Sequence, residues 1–235
     1  MERIKAILFD KDGTLVDFNR TWGPAAHAVV SRLANGNAAH LAGLMDAVGF
    51  VAGTTNLTMR SAVVSDATPV FARHWATLIE REATPEFFAE IDRMFAEEVM
   101  KSLSPLPFVA ATLAALGASG LSLGVGTNDA EANARQQIRG LGLDHLLPFI
   151  AGYDSGHGAK PSPGMVLAFA RHVGVAPQEV AMVGDTLHDI EAAKAAGARS
   201  VAVLTGLTGE GAREQLAPHA DIVIRSLDEL AGAIF

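Results

Sequence analysis

The sequence predicts an α/β protein: a doubly wound parallel sheet with a small helical domain inserted after its first strand. Three observations support this prediction. Short apolar runs alternate with helical patterns along most of the chain, as is typical of parallel sheets with helices on both faces. Almost all of the interval after the first run shows helical patterns. The length of 235 residues is above the usual size of one domain and leaves room for an insertion.

Each predicted strand is a short apolar run without strict alternation of apolar and polar residues. Such runs are typical of strands that are covered on both faces of a sheet. The runs cover residues 3–9, 120–126, 147–152, 179–184, 199–204 and 221–224. The later ones are separated by helical patterns at residues 129–142, 161–174, 185–198 and 209–219.

The interval between the first two predicted strands is too long for a loop or a single crossover helix. Its helical patterns cover residues 23–34, 38–49, 68–83 and 84–103. We therefore predict a helical cap domain at residues 17–101, inserted into a core domain of residues 1–16 and 102–235. Asp17 would be a hinge or helix-start residue, and the two neighbouring links suggest a hinged lid.

Composition and charge exclude several kinds of partner. Apolar residues make up 49% of the chain and charged residues 19%, which is typical of a compact folded protein. The net charge of −8 provides no basic face for nucleic acid. Without cysteine, disulfides, thiolate zinc sites and cysteine nucleophiles are excluded. No apolar run is long enough for a signal peptide or a membrane span, so we expect a cytoplasmic protein without a membrane partner.

Most candidate functional residues come directly after predicted strands. Ligands of open parallel sheets bind outside the carboxyl ends of the strands, so these residues should share one edge of the sheet. They are Asp10, Lys11, Asp12, Gly13 and Thr14 after the first strand; Thr127, Asn128 and Asp129 after the second; Tyr153, Asp154 and Lys160 after the third; and Gly184, Asp185, Thr186 and Asp189 after the fourth.

This group of side chains indicates phosphoryl chemistry. Crowded carboxylates repel one another, and a bound hard divalent cation such as Mg²⁺ usually offsets this repulsion. Asp10, kept ionised beside the ion, could attack phosphorus. Asp12 could protonate the leaving oxygen and later activate water. Lys160 and Thr127 could stabilise charge on the transferring phosphoryl group.

Each feature also has a purely structural explanation. Asp10 could cap a strand end, and Thr127 with Asn128 could cap the helix that starts near Asp129. Lys160 alone could be a solvated surface residue. Asp189 could be an acid in the first turn of a helix, where the helix dipole favours it.

Four stretches resemble the motifs of the haloacid dehalogenase-like (HAD) hydrolases, in the chain order of that family. They are DKDGTLVD at residues 10–17, TN at 127–128, the lysine of GAKPSPG at 158–164, and the spaced acids of GDTLHDIEAAKAAGA at 184–198. The resemblance covers residues 1–16 and about 102–235. It implies a Rossmann-like catalytic core, with the insertion as the small helical cap that many members carry.

The resemblance implies a role for each core residue. Asp10 would be the nucleophile and a metal ligand, and Asp12 the general acid and base, with its backbone carbonyl at the metal. Lys160 would bind and orient both the nucleophile and the phosphate. Thr127 would bind the phosphoryl oxygens, with Asn128 beside it.

Two further acids would complete the metal site: Asp185 as a direct ligand of Mg²⁺, and Asp189 directly or through water. Lys11 would occupy a variable position of the family. In the predicted cap, Arg20 and Arg60 could reach a carboxylate or second phosphate of the substrate.

The implied function is a magnesium-dependent phosphatase for a small phosphomonoester. DGTLVD is typical of phosphoglycolate phosphatase-like members, so 2-phosphoglycolate is the first candidate. A sugar phosphomutase of the β-phosphoglucomutase type stays open, although such relatives more often have valine at the position of Thr14. A non-enzymatic phospho-acceptor domain also stays open, but Asp12 disfavours it because a general base hastens loss of the phosphoryl group. The partner would be a small phosphorylated metabolite, and the protein a monomer or homodimer.

Overall fold

The computed structural model describes residues 3–58, 60–65 and 68–235. Six strands form one sheet in the order β3-β2-β1-β4-β5-β6, and all neighbours in it are parallel. Each predicted apolar run contains one strand, so the predicted α/β class with a parallel sheet is confirmed. The strands are β1 (Ala6–Phe9), β2 (Ser122–Gly126), β3 (Phe149–Ala151), β4 (Val180–Gly184), β5 (Arg199–Val203) and β6 (Ile222–Ile224).

The α-helices of the described residues fall into two groups. Those between β1 and residue 104 are α1 (Phe18–Ala34), α2 (Ala38–Val48), α3 (Ala62–Ser65), α4 (Thr68–Leu78) and α5 (Pro85–Ser102). Those around the sheet are α6 (Val109–Ala118), α7 (Glu131–Gly140), α8 (Gly164–Val173), α9 (Leu187–Ala196), α10 (Arg213–Leu216) and α11 (Leu230–Ile234).

Helices cover both faces of the sheet. Along β1, Ile7 and Phe9 belong to a hydrophobic core that includes residues of α6, α7 and α11. Ala6 and Leu8, which alternate with them, pack with residues of α8 and α9. This double covering is why the strands are apolar throughout.

Several helices differ from the sequence predictions, and the short α3 was not predicted. The helix predicted from Gly23 begins at Phe18 and continues past Pro24; proline in a helix interior removes a hydrogen bond, so a sequence pattern favours a start beside it. The prediction missed α6, whose 10 residues contain no charged side chain and therefore show no polar face. The helix predicted over 209–219 is a 3₁₀ turn at Gly209–Ala212 followed by the four residues of α10.

The chain divides into two compact units. One contains the residues up to Asp17 together with Pro105–Phe235, and the other is Phe18–Ser104. The first unit holds the sheet and α6 to α11. At its edge, Val16 pairs with Pro105 in an antiparallel bridge. The assignment of these parts as catalytic core and cap stays a prediction.

The second unit has a hydrophobic core of its own, built from α1, α2, α4 and α5. Phe71, Trp75 and Phe95 lie at its centre, with ring centroids 4.8–6.4 Å apart. Trp75 is therefore a packing residue of this core. Among the described residues, no helix combines the length and apolar character needed to cross a membrane.

Candidate active site

Three carboxylates meet at the carboxyl ends of β1 and β4. Asp10 directly follows β1, Asp185 directly follows β4, and Asp189 lies in the first turn of α9. β1 and β4 are neighbours in the sheet, which brings their ends together. One oxygen from each carboxylate lies within 4.8 Å of the others. We call Asp10, Asp185 and Asp189 the acidic cluster.

Lys160 joins two members of the acidic cluster. Its Nζ lies 2.6 Å from Asp10 Oδ1 and 2.6 Å from Asp189 Oδ1. The residue is buried, at 5% exposure. The alternative explanation, that Lys160 is a solvated surface residue, is therefore wrong. Burial lowers the pKa of Lys160, but the charges of Asp10 and Asp189 outweigh this and leave the pKa raised.

Ionising both Asp10 and Asp185 is unfavourable without a metal cation. Burial raises the pKa of Asp10 to about 7; Lys160 opposes the shift and Asp189 adds to it. Burial, followed by the charges of Asp10 and Asp189, raises the pKa of Asp185 well above its ordinary value. Three carboxylates thus outnumber one ammonium group, and all offer oxygen ligands. This donor set fits a hard divalent cation.

The Asp185 side chain lies against two glycines. A Cβ atom on Gly13 would lie 2.4 Å from Asp185 Oδ2, and one on Gly206 would lie 2.0 Å from it. Thr14 Oγ1 donates to Asp185 Oδ1 at 3.4 Å, and Thr205 Oγ1 donates to the Gly13 carbonyl at 2.7 Å. Thr205 and Gly206 were not predicted, because residues 204–208 after β5 include no charged side chain.

Asp189 also caps α9. Its Oδ2 accepts hydrogen bonds from the amide of Thr186 at 3.0 Å and from Thr186 Oγ1 at 2.7 Å. Its Oδ1 accepts from Lys160. The structural explanation for Asp189 therefore holds, together with its place in the acidic cluster.

Thr127 and Asn128 follow β2 but do not cap α7. The N-cap residue of α7 is Ala130, and Thr127 Oγ1 instead accepts from the amide of Asp129 at 3.1 Å. Asn128 binds the backbone of Lys160 twice: its Nδ2 donates to the Lys160 carbonyl at 2.9 Å, and its Oδ1 accepts from the Lys160 amide at 2.8 Å. Asn128 thereby fixes the segment that carries Lys160.

Asp12 turns its carboxylate toward Lys11, whose Nζ lies 2.5 Å from Asp12 Oδ2. Lys11 is fully buried, although the family resemblance implied only a variable position there. Asp154, expected at the site from its place after β3, instead accepts from the amide of Glu131 at 2.8 Å. Asp154 therefore accepts a hydrogen bond from the first residue of α7.

The two arginines that the sequence suggested for substrate binding belong to the second unit. Arg20 lies in the first turn of α1, and Arg60 lies between α2 and α3. Both are exposed. Their contact with a substrate stays a prediction.

The parallel sheet and the acidic cluster bridged by Lys160 are the arrangement of a hydrolytic enzyme built on a doubly wound fold. A family model described as haloacid dehalogenase-like hydrolase matches residues 4–197. The chain belongs to this family.

Individual proteins similar to the chain include a curated relative and two solved structures. A phosphoglycolate phosphatase of Shigella boydii serotype 4 (strain Sb227) is 30% identical over 247 residues, covering 99% of this chain and 93% of the relative. A structure from Haemophilus somnus 129PT, named as a predicted phosphoglycolate phosphatase, has a TM-score of 0.71 and 25% identity, and covers 99% of this chain and 98% of that one.

A structure from Thermotoga maritima, named as a proposed beta-phosphoglucomutase, has a TM-score of 0.74 but 18% identity, with 97% of each chain covered. That likeness concerns the fold alone. The family match and the curated relatives confirm the predicted family and the predicted class of enzyme, a hydrolase of the phosphatase type.

Proposed function

We propose that the protein is a magnesium-dependent phosphatase that hydrolyses a small phosphomonoester through an aspartyl-phosphate intermediate, with 2-phosphoglycolate as the first candidate substrate. The observation that carries the proposal is the acidic cluster with Lys160 at 2.6 Å from Asp10. The relatives named phosphoglycolate phosphatase, at 30% identity over nearly the whole chain, support the choice of substrate.

In the first half of the reaction, a carboxylate oxygen of Asp10 attacks phosphorus and the bond from phosphorus to the leaving oxygen breaks. Asp12 gives its proton to that oxygen, which leaves as an alcohol. Lys160 and the Thr127 hydroxyl stabilise the charge on the phosphoryl oxygens. Asn128 contributes by holding the backbone of Lys160.

In the second half, Asp12 accepts a proton from water as the water oxygen attacks phosphorus. The bond between phosphorus and Asp10 breaks, and inorganic phosphate leaves. Asp12 has regained its proton, so the enzyme returns to its starting state. The balance is one phosphomonoester and one water consumed, and one alcohol and one phosphate released.

The metal ligands in this proposal are the carboxylates of Asp10 and Asp185 and the backbone carbonyl of Asp12. Both oxygens of Asp189 already accept hydrogen bonds from Lys160 and Thr186, which supports a contact through water. When bound, Mg²⁺ supplies positive charge that offsets the carboxylates and the substrate phosphate.

The test is phosphate release from a panel of small phosphoesters, with magnesium and with a chelator. We expect hydrolysis of 2-phosphoglycolate that the chelator abolishes. Asp10→Asn should lower kcat by about 10³-fold or more, because it removes the nucleophile. Asp144→Asn, the same change at an exposed position, is the matched control and should retain wild-type activity.

Two outcomes would contradict the proposal. Release of phosphate from no ester in the panel would reject the phosphatase, and equal activity of Asp10→Asn and the wild type would reject the nucleophile. Conversion of a sugar 1-phosphate to its 6-phosphate without release of phosphate would favour the mutase alternative. A cytoplasmic location and a monomeric or homodimeric state stay predictions from the sequence.

A further inference from the structure

Lys11 is a buried cation that the proposed mechanism does not use. It stands between Asp10 and Asp12 in the chain, and its side chain is 0% exposed. Its Nζ contacts Asp12 Oδ2 at 2.5 Å, Asp129 Oδ2 at 3.2 Å and Gln137 Oε1 at 2.7 Å. We call these four residues, Lys11, Asp12, Asp129 and Gln137, the Lys11 network.

A buried lysine at this position is costly, and an apolar side chain could fill the same space. Removing an ammonium group from water is unfavourable unless carboxylates and hydrogen-bond acceptors replace the water. Here the carboxylates of Asp12 and Asp129 and the amide oxygen of Gln137 surround Nζ and supply those charges and acceptors.

The far side of the Lys11 network is well anchored. Asp129 Oδ1 accepts from the amide of Ala130 at 2.7 Å and from Asn133 Nδ2 at 3.0 Å. Gln137 is 3% exposed, and its Nε2 donates to Asp129 Oδ2 at 3.5 Å. Asn133 and Gln137 both belong to α7, so the network ties the end of β1 to a helix of the same unit.

We propose that Lys11 is a positioning residue that holds the Asp12 carboxylate in the orientation needed for proton transfer, with Asp129 and Gln137 as its fixed support. This inference rests on the proposed function, in which Asp12 acts in both halves of the reaction. Asp12 must lie within hydrogen-bond distance of the leaving oxygen in the first step and of the attacking water in the second. Lys11 contacts Oδ2 of Asp12, which leaves Oδ1 to carry and transfer the proton. The side chain can therefore keep one orientation through both steps, and a misplacement of about 1 Å can cost about 100-fold in rate.

The test compares Lys11→Met, which keeps the length of the side chain and removes its charge, with Ile138→Val. Ile138 follows Gln137 on α7 and lies in the hydrophobic core, so Ile138→Val is the matched control for a general loss of stability. Gln137→Leu is a milder variant that removes only the neutral support. Each is assayed on 2-phosphoglycolate and on p-nitrophenyl phosphate, with steady-state and rapid-quench kinetics.

We expect Lys11→Met to lower kcat on 2-phosphoglycolate about 10- to 100-fold, with KM changed less than about threefold. p-Nitrophenolate needs little protonation to leave, whereas hydrolysis of the phospho-enzyme still needs Asp12. With p-nitrophenyl phosphate, the variant should therefore release a larger burst of p-nitrophenolate than the wild type. Gln137→Leu should show the same pattern with a smaller loss, and Ile138→Val should match the wild type.

Wild-type kcat in Lys11→Met would overturn the inference, as would an equal loss on both substrates with no larger burst. If Lys11→Met does not fold, wild-type kinetics of Gln137→Leu would overturn it instead. A wild-type enzyme that hydrolyses neither substrate nor any other phosphoester would reject the proposed function itself. Failure of the inference alone leaves an active wild type, so the two failures are distinct.

Discussion

Burial opposes the ionisation of Asp10 in the metal-free protein, although the charge of Lys160 favours it. The pKa of Asp10 is raised from 3.8 to about 7, first by burial. Between these two pH values the folded chain binds more protons at Asp10 than the unfolded chain does. The contribution of this residue to stability therefore falls as the pH rises from about 4 to about 7.

We predict that Asp10→Asn stabilises the metal-free protein although it lowers kcat by about 10³-fold or more. Asparagine keeps the shape of the side chain but carries no charge to bury. The free energy of unfolding should rise by about 4 kcal/mol at pH 8, and by less at pH 5, where Asp10 is already protonated in the folded chain. Urea denaturation in the presence of a chelator measures both values.

Asp221→Asn is a control that should change the free energy of unfolding in the opposite direction. Burial raises the pKa of Asp221, but hydrogen bonds from the Ser200 amide at 2.8 Å and the Ser200 hydroxyl at 2.7 Å outweigh this and lower it. A carboxyl group whose pKa is lowered by folding stabilises the fold at pH values above its pKa in the unfolded chain. This stabilisation is lost as the pH falls. This variant should therefore be less stable at pH 8. Destabilisation by both variants would contradict our account of Asp10.

The element that fixes Asp185 is the loop after β5. Gly206 lies so close to Asp185 that a Cβ atom there would be 2.0 Å from Oδ2. We predict that Gly206→Ala displaces the carboxylate and weakens metal binding about 10-fold or more, the range found when partners of metal ligands are changed. Calorimetric titration with Mg²⁺ and the magnesium dependence of kcat measure the effect.

Gly211→Ala provides the matched control from the same segment. Its added Cβ would meet only Thr208 Cβ, at 4.0 Å, which is ordinary van der Waals contact. This variant should bind Mg²⁺ as the wild type does. Equal affinities of Gly206→Ala and the wild type would show that the loop does not position Asp185.

The sequence allowed the strands and the residues at their ends to be predicted, because each apolar run is followed at once by its polar residues. Asp10, Lys160, Asp185 and Asp189 do come together in this way. The residues that support the site from other elements could not be predicted. Gln137 lies in the middle of a helix, and no spacing rule connects it with Lys11, since only the packing of α7 beside β1 brings them together.

At the scale of the whole molecule, the two units have separate hydrophobic cores. We predict that the first unit folds without the second when a short Gly-Ser linker replaces Phe18–Ser104. The ends to be joined are close because Val16 pairs with Pro105. This variant should unfold cooperatively and bind Mg²⁺, as measured by circular dichroism and calorimetry.

The same deletion combined with Asp185→Asn serves as its control. It should fold equally well but bind Mg²⁺ about 10-fold or more weakly, because a proposed direct ligand is lost. A shortened chain that stays unfolded would show that the first unit depends on the insertion. It would also contradict the predicted division into core and cap.

The position of β1 in the sheet also sets the order in which the protein can assemble during synthesis. β1 is made first, yet its partners in the sheet begin at Ser122 and Val180. All of Phe18–Ser104 has been translated before either partner exists, and it forms one compact unit. Domains generally fold as units in the order in which they emerge from the ribosome. The insertion is thus the first part able to fold, and the acidic cluster forms only after Asp189 has been added.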